Sequence, residues 1–254
     1  MFEFLEFRHL KHLTPFPPLE NMNQEAESSI EKVRRYKDGA VLIFTNAEAL
    51  YEEAQLLGQA GHFARATVLH QISMEECSKV DTLGASSISI LLGHDVDEVY
   101  LAKEFHSHKA KNHANAYFAR TTDEEMSARA RGDWKAANEE FKKCQIKFHA
   151  EANTIKNAGL YVDFQDGKFV APADEVDELK AIAFQNLNGV FLKHSDNMLQ
   201  LLHRITSEPD TYAELMKSLT DRLQASLTTQ EPDPQQIMDE LMEELSRNCS
   251  EGDS

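Results

Sequence analysis

Four side chains in two stretches have the types and the spacing for proton and phosphate chemistry. In "ATVLHQISMEECSKV", residues 66–80, Ala66, Leu69, Ser73, Cys77 and Val80 recur at helical spacing and form one stripe. At about 100° per residue Glu76 falls inside that stripe rather than opposite it, and Lys79 lies on the same side. An unpaired carboxylate is costly to bury, so Glu76 is expected to be mostly buried and paired. Glu75 points further outward on this wheel and is expected to pair with Lys79 across one turn. In "EFHSHKAKNHAN", residues 104–115, Glu104, His108, Lys111 and Asn115 recur as a polar ladder along one helix. If His108 and Lys111 reach Glu76, the carboxylate orients the imidazole and the imidazole moves protons. Lys111 or Lys79 then offsets the charge of a phosphorane. A solvated helix face laced with surface ion pairs accounts for the same residues without any site.

The other chemistry-bearing residues point to structure. His106 and His113 share a less polar stripe with Val99, Ala102, Ala110 and Tyr117. His194 lies on the stripe of Leu187, Phe191, Met198, Leu201 and Ile205 and reads as buried and hydrogen-bonded. Trp134 reads as a packing anchor, and Cys77 faces inward without an evident activating base. Helical bundles that hold two metal ions use Glu-x-x-His motifs, which this chain lacks. Glu104 and His108 are four apart among lysines that repel a cation, so neither a metal nor another cofactor is expected.

These residues must be positioned by helices. Residues 1–22, with "TPFPPLE", read as an irregular arm, and a bundle is expected over 23–230. A short polar helix over about 23–36 precedes a stronger one in "TNAEALYEEAQLLGQAG", capped by Thr45 or Asn46 and ended at Gly58 and Gly61. The Glu76 helix runs from about His62 to Leu83, "SSISILLGHD" breaks it, and the His108 helix continues through "AYFAR". Thr122 begins the next region, with a kink near Gly132. "LYVDFQDGKFVAP" alternates apolar and polar residues around Asp166-Gly167, which predicts a two-stranded hairpin over 160–171. Helices resume after Pro172 and again after Pro209. The expected architecture is mainly α, a helical bundle with one small β-hairpin inserted. One helix pair resembles a tetratricopeptide unit, but no second copy follows at the required period.

Composition bounds the partners. The chain of 254 residues has 43 acidic and 26 basic residues and a formal charge of −17. That field disfavours non-specific binding to nucleic acid and anionic membranes, though a local basic strip of Lys103, Lys109, Lys111 and Arg120 remains. Residues 231–254 hold eight acidic residues and one arginine, Arg247, and read as a weakly attached acidic tail. Three widely spaced cysteines fit a reducing cytoplasm. No stretch approaches the roughly 20 apolar residues of a membrane span, and the N-terminus lacks a signal-peptide pattern.

Three pieces in order, spanning about 45–172, carry a resemblance to a known family. They are the helix pair ending in Glu-Glu-x-x-Lys at 75–79, the His-x-x-Lys of His108 and Lys111, and "IKNAGLYVDFQDGKFVAP". Together they resemble the AbiV-type abortive infection proteins of bacteria, a branch of the HEPN-like helical proteins. The resemblance implies a cytoplasmic antiphage effector that arrests host growth or translation, with a phage-encoded trigger. HEPN relatives are often metal-independent ribonucleases that use Arg-x4–6-His, and they commonly pair as homodimers. The formal match here is Arg65 to His70, whose side chains diverge by about 140° on a continuous helix. Glu76, Lys79, His108 and Lys111 are the stronger candidates for the family's site. Two functions follow. One is action on RNA. The other is a non-catalytic helical module that captures a translation or phage protein, with the polar cluster only fixing helix register. The helix over 174–207 offers independent support for a dimer, because Ala183, Phe184, Val190 and Phe191 spread over more than one side. The arm residues Phe2, Phe4, Leu5, Phe7 and Phe16 would cover that strip if the chain works alone.

Overall fold

A computed structural model of the chain describes residues 27–116 and 122–228. The arm, Arg120 and the acidic tail, with the expectations attached to them, lie outside the described residues, as does the side chain of Trp134. Helix α1 (Ser29–Gln59) is one continuous element rather than two. Its start is a capping box in which Ser28 accepts from the Glu31 amide while the Glu31 carboxylate accepts from the Ser28 amide. No break occurs at Thr45 or Asn46. Nothing between Ser29 and Gln59 removes a backbone donor, and Gly39 sits in ordinary contact range of Leu83 in the next helix.

After a turn at Gly61 (φ 80°), α2 (Phe63–Leu91) runs two turns beyond the expected break. The serines of "SSISIL" do not end it, because Ser87 returns its hydroxyl proton to the Leu83 carbonyl, four residues back. The chain then turns at Gly93 (φ 82°) into α3 (Glu98–His106), capped by Asp97. Here the structure departs from the single long helix expected. Ser107 adopts an extended conformation (φ −88°, ψ 105°), and its hydroxyl accepts from the Ala110 amide to start α4 (His108–Asn115).

Thr122 caps α5 (Asp123–Ala130), and a turn at Gly132 (φ 69°) with Asp133 as the next cap starts α6 (Trp134–Leu160). The hairpin follows as expected, with β1 (Asp163–Gln165) antiparallel to β2 (Lys168–Val170) in the register Asp163↔Val170, Phe164↔Phe169, Gln165↔Lys168. Asp166 (φ 50°) and Gly167 (φ 78°) supply the left-handed pair that a two-residue hairpin turn needs. A single turn, α7 (Pro172–Glu175), leads to α8 (Glu178–Ser207), capped by Asp177, and α9 (Pro209–Thr228) closes the described chain. The fold is a helical bundle with one two-stranded hairpin among the described residues.

Helix α2 is central. It packs against α1 and α8 on one side and α4 and α6 on another. The main core joins Val33, Tyr36 and Ala40 of α1 to Val80 and Leu83 of α2 and Leu202 and Ile205 of α8. A second group of Ala47, Met74, Cys77 and Phe191 lies beside it. The larger of these, Val80, Leu202, Ile205, Met74 and Phe191, removed from water, supply about 1.5–3 kcal/mol each. Two glycines permit close helix contacts. A Cβ at Gly84 would sit 2.7 Å from Cγ of Met198, and one at Gly159 would sit 2.5 Å from Val68 Cγ2 and 2.9 Å from the Ala64 carbonyl oxygen. No helix among the described residues is long and apolar enough to cross a membrane.

Candidate functional site

Because α2 has neighbours on two sides, it has two inner faces. The stripe through Ser73, Cys77 and Val80 faces α1 and α8, and a second face carries Gln71, Glu75 and Ser78 toward α4 and α6. A wheel with one inward direction therefore selects the wrong glutamate for the inter-helix cluster. Glu75 is 2% exposed and does not pair with Lys79. Its Oε2 lies 2.6 Å from His108 Nδ1 and 3.0 Å from Lys111 Nζ, both on α4. Its Oε1 lies 3.6 Å from Lys156 Nζ on α6. Glu76 is also mostly buried, its side chain 14% exposed, but its partner is Lys79 on the same helix. The Lys79 ammonium also lies 5.9 Å from the centre of the Phe105 ring. The four expected site residues are thus divided between two clusters, and Glu75 and Lys156 complete the one that holds His108 and Lys111.

The Ser107 break places His108 as the first residue of α4, with Lys111 on the next turn. Asn115, two turns on, donates to the Met74 carbonyl at 3.1 Å and pins α4 to α2. On α6, Gln71 of α2 donates to the Ala152 carbonyl at 2.8 Å, and Gly159 lets the helices approach closely enough for Lys156 to reach Glu75. Further along the α4–α6 seam the Asn112 and Asn153 amide groups lie 3.2 Å from Nδ1 and Nε2 of His149. The His149 ring makes an edge contact with His113. His113 thus serves the packing of two helices, as its stripe suggested.

Burial alone would raise the Glu75 carboxyl. The hydrogen bonds from His108 and Lys111 and the charges of Lys111 and Lys156 outweigh that effect and hold it below the usual carboxylate range. One carboxylate faces two ammonium groups, so the cluster carries a net positive charge before His108 takes a proton. The N-terminus of α4 adds positive potential at the same place. Lys111 and Lys156 are mostly enclosed, their side chains 10% and 18% exposed, whereas the His108 side chain is 58% exposed. His108 therefore has one ring nitrogen fixed by a buried carboxylate and an open ring edge. An imidazole oriented in this way can exchange protons with a bound hydroxyl or leaving oxygen.

The remaining candidates stand apart. Arg65 is exposed, while His70 is buried, 3.2 Å from the Asn188 amide and against the edge of Tyr51. Burial lowers the His70 pKa to about 4, and the two residues do not form a pair. Lys103 and Lys109 are exposed but Lys111 turns inward, so the basic strip is not one continuous face. His194 is only partly buried, its side chain 12% exposed, with Nε2 3.4 Å from Asp81 Oδ1, and burial pushes the Cys77 thiol up to about 12. His106 is exposed, contrary to the expectation from its stripe, because α3 packs through Leu101 and Phe105.

A helical bundle of this kind, with one small hairpin, agrees with a HEPN-type protein. Residues 35–193 match the family model HEPN_AbiV, described as AbiV; this is more than half of the chain, which belongs to that family. Membership connects it with abortive infection. The uncharacterized protein y4gJ of Sinorhizobium fredii is 37% identical over 100 residues, which cover 39% of this chain and 52% of that protein. The chain thus spans about half the length of the curated relative it matches. No solved structure matches.

Proposed function

We propose that this protein is an antiphage abortive-infection effector of the bacterial cytoplasm that arrests growth or translation by acting on RNA at the Glu75, His108, Lys111 and Lys156 cluster. The observation that carries this reading is the open ring edge of His108, whose Nδ1 is held 2.6 Å from a buried carboxylate within a net-positive cluster. In a metal-independent cleavage, His108 takes the proton of a ribose 2′-hydroxyl as that oxygen attacks phosphorus. The 5′-oxygen leaves and takes up a proton, producing a 2′,3′-cyclic phosphate and a 5′-hydroxyl. The excess positive charge favours the phosphorane over the ground state. Glu75 keeps the imidazole oriented, and Glu76 with Lys79 stiffens α2 beside it. The working form in this reading is a homodimer, and a phage-encoded protein is the trigger.

A second reading has its own observation. Lys111 and Lys156 are both bound to Glu75 and largely enclosed, as expected of charges that fix helix register in a module that captures a translation or phage protein. Induced expression of the wild type and of His108→Ala separates the two. RNA fragments and growth arrest with the wild type alone are expected. Arrest by both proteins with intact RNA refutes the RNA reading and supports capture.

A further inference from the structure

We propose that the outer face of α3, from Val99 to His106, seats a nucleobase beside the reacting phosphate, which makes unpaired RNA the substrate of the His108 site. The inference rests on the RNA reading above and names which RNA that reading requires.

The sequence marks one less polar stripe through Val99, Ala102, His106, Ala110 and His113. The Ser107 break cuts it in two. Beyond the break, His113 turns into the α4–α6 seam against His149. Before it, α3 packs through Leu101 and Phe105, with the Lys79 ammonium 5.9 Å from the centre of the Phe105 ring. At about 100° per residue those two lie across the helix from Val99, Ala102 and His106, so the first half of the stripe faces outward. Val99 is 65% exposed, and Ala102 and His106 are exposed beside it. A groove of about 700 Å³ runs along this face, lined among the described residues by Glu98, Val99, Ala102, Lys103, His106 and Ser107.

Three features select an RNA strand. The first is position. The groove ends at Ser107, and His106 lies two residues from His108, no more than about 7 Å along the backbone. A nucleotide seated there brings its phosphodiester to the open ring edge of His108.

The second is charge. The chain carries −17, yet the acidic residues around this elbow are already engaged. Asp95 meets Lys32, Glu98 meets Arg35 and the Tyr36 hydroxyl, Asp97 caps α3, and Glu104 accepts from the Tyr100 hydroxyl. Lys103 in the groove and Lys109 in the first turn of α4 are exposed, with the net-positive Glu75 cluster behind them. Phosphates complement that rim, and the acidic remainder of the surface repels them, which confines a strand to this place.

The third is size. Val99 to His106 spans about 10 Å along the helix axis, the rise of two or three stacked bases at about 3.4 Å each. The floor is apolar and shallow, with the His106 ring for a base to stack on. A protein partner needs about 800 Å² per side, more than one face of a nine-residue helix presents. In a duplex the bases stack on one another and are closed to such a face, so the groove discriminates against paired RNA.

Fluorescence anisotropy of the 254-residue chain with a labelled 2′-O-methyl oligoadenylate, which lacks the attacking hydroxyl, tests this. The single strand is expected to bind about tenfold or more tightly than the same strand paired with its complement. His106→Ala is expected to weaken single-strand binding about tenfold, as loss of a stacking surface does. Lys103→Ala is expected to weaken it and to reduce the slope of log affinity against log salt by about 0.7. Leu42→Ser, an exposed site on α1, is expected to leave binding unchanged, and all three variants to keep the wild-type far-ultraviolet spectrum. Equal binding of single strand and duplex, or wild-type affinity in both α3 variants, overturns the subsite. If the wild type still fragments RNA in cells, the RNA reading then stands without it. A wild type that binds neither RNA and leaves cellular RNA intact overturns both, and protection of α3 from hydrogen exchange by a protein fraction would mark the face as a protein contact instead.

Discussion

Replacing Glu75 by glutamine keeps the volume and shape of the side chain and removes one charge. Lys111 and Lys156, at 3.0 Å and 3.6 Å, then remain largely enclosed without a counter-charge. Breaking a buried ion pair on one side costs about 3–5 kcal/mol, and the partial exposure of both lysines places this case near about 3 kcal/mol. For a domain of this size the loss lowers the unfolding midpoint by about 6–12 °C. Glu76→Gln is the control. It removes a pair within one helix turn, and Lys79 keeps its contact with the Phe105 ring, so the loss is about 1 kcal/mol or less. Thermal unfolding followed by far-ultraviolet circular dichroism at fixed protein concentration reads both. The cost arises from an unpaired cation, so removing one cation should relieve it. Glu75→Gln/Lys111→Met is expected to recover at least half of the lost stability. Equal midpoints for Glu75→Gln and Glu76→Gln, or a double variant weaker than the single, would refute the assignment of Glu75 as the buried centre of the cluster.

His70 makes stability depend on pH. Its folded pKa, about 4, lies below its ordinary value of 6.5, so the unfolded chain takes a proton that the folded one refuses. Stability is therefore lost as pH falls from about 6.5 to about 4, by about 3 kcal/mol in all, and His70→Gln should flatten that part of a denaturant-midpoint profile. Gly159→Ala should destabilise by about 1–3 kcal/mol in a urea melt, because the new Cβ meets the Ala64 carbonyl oxygen, backbone that cannot swing aside. Gly84→Ala should cost less, since its nearest obstacles are the far atoms of the flexible Met198 side chain.

Much of the architecture is legible where one local signal acts alone. Asp166-Gly167 between alternating residues gives the hairpin, and Thr122 marks a helix start, whereas the expected kink near Gly132 is a full break capped by Asp133 and α8 starts at a cap, Asp177, that the periodicity does not mark. The helix expected from about residue 23 instead starts at Ser29, behind the Ser28-x-x-Glu31 capping box. What misleads is the assumption of a single inner face. Periodicity finds the direction of greatest apolarity, but α2 is enclosed on two sides, so its second inner face is polar and looks like surface. The i, i+4 spacing of Gln71 and Glu75 is the only local trace of it. Lys156 carries no trace at all, because its role depends on how closely α6 crosses α2, which Gly159 sets from the next turn. The Ser107 break is equally weak in sequence, with no acidic residue three positions on to complete a capping box.

The two tasks of Glu75 are separable, and that bears on what the cluster is for. A cluster that only fixes helix register works best sealed and neutral, since every unmatched charge is a desolvation cost without return. This one is neither. It holds more cation than anion, and it is open at one member, His108, placed by the Ser107 break at the N-terminus of α4. Lys111 and Lys156 can satisfy Glu75 without that histidine, so the fold does not require an imidazole at 108. Losing an exposed side chain there removes little buried surface, whereas losing Glu75 strands two ammonium groups. A histidine held at 2.6 Å by a carboxylate the lysines already neutralise adds little to the bundle, and the proposed action on RNA is the reading that gives the free edge of its ring a task.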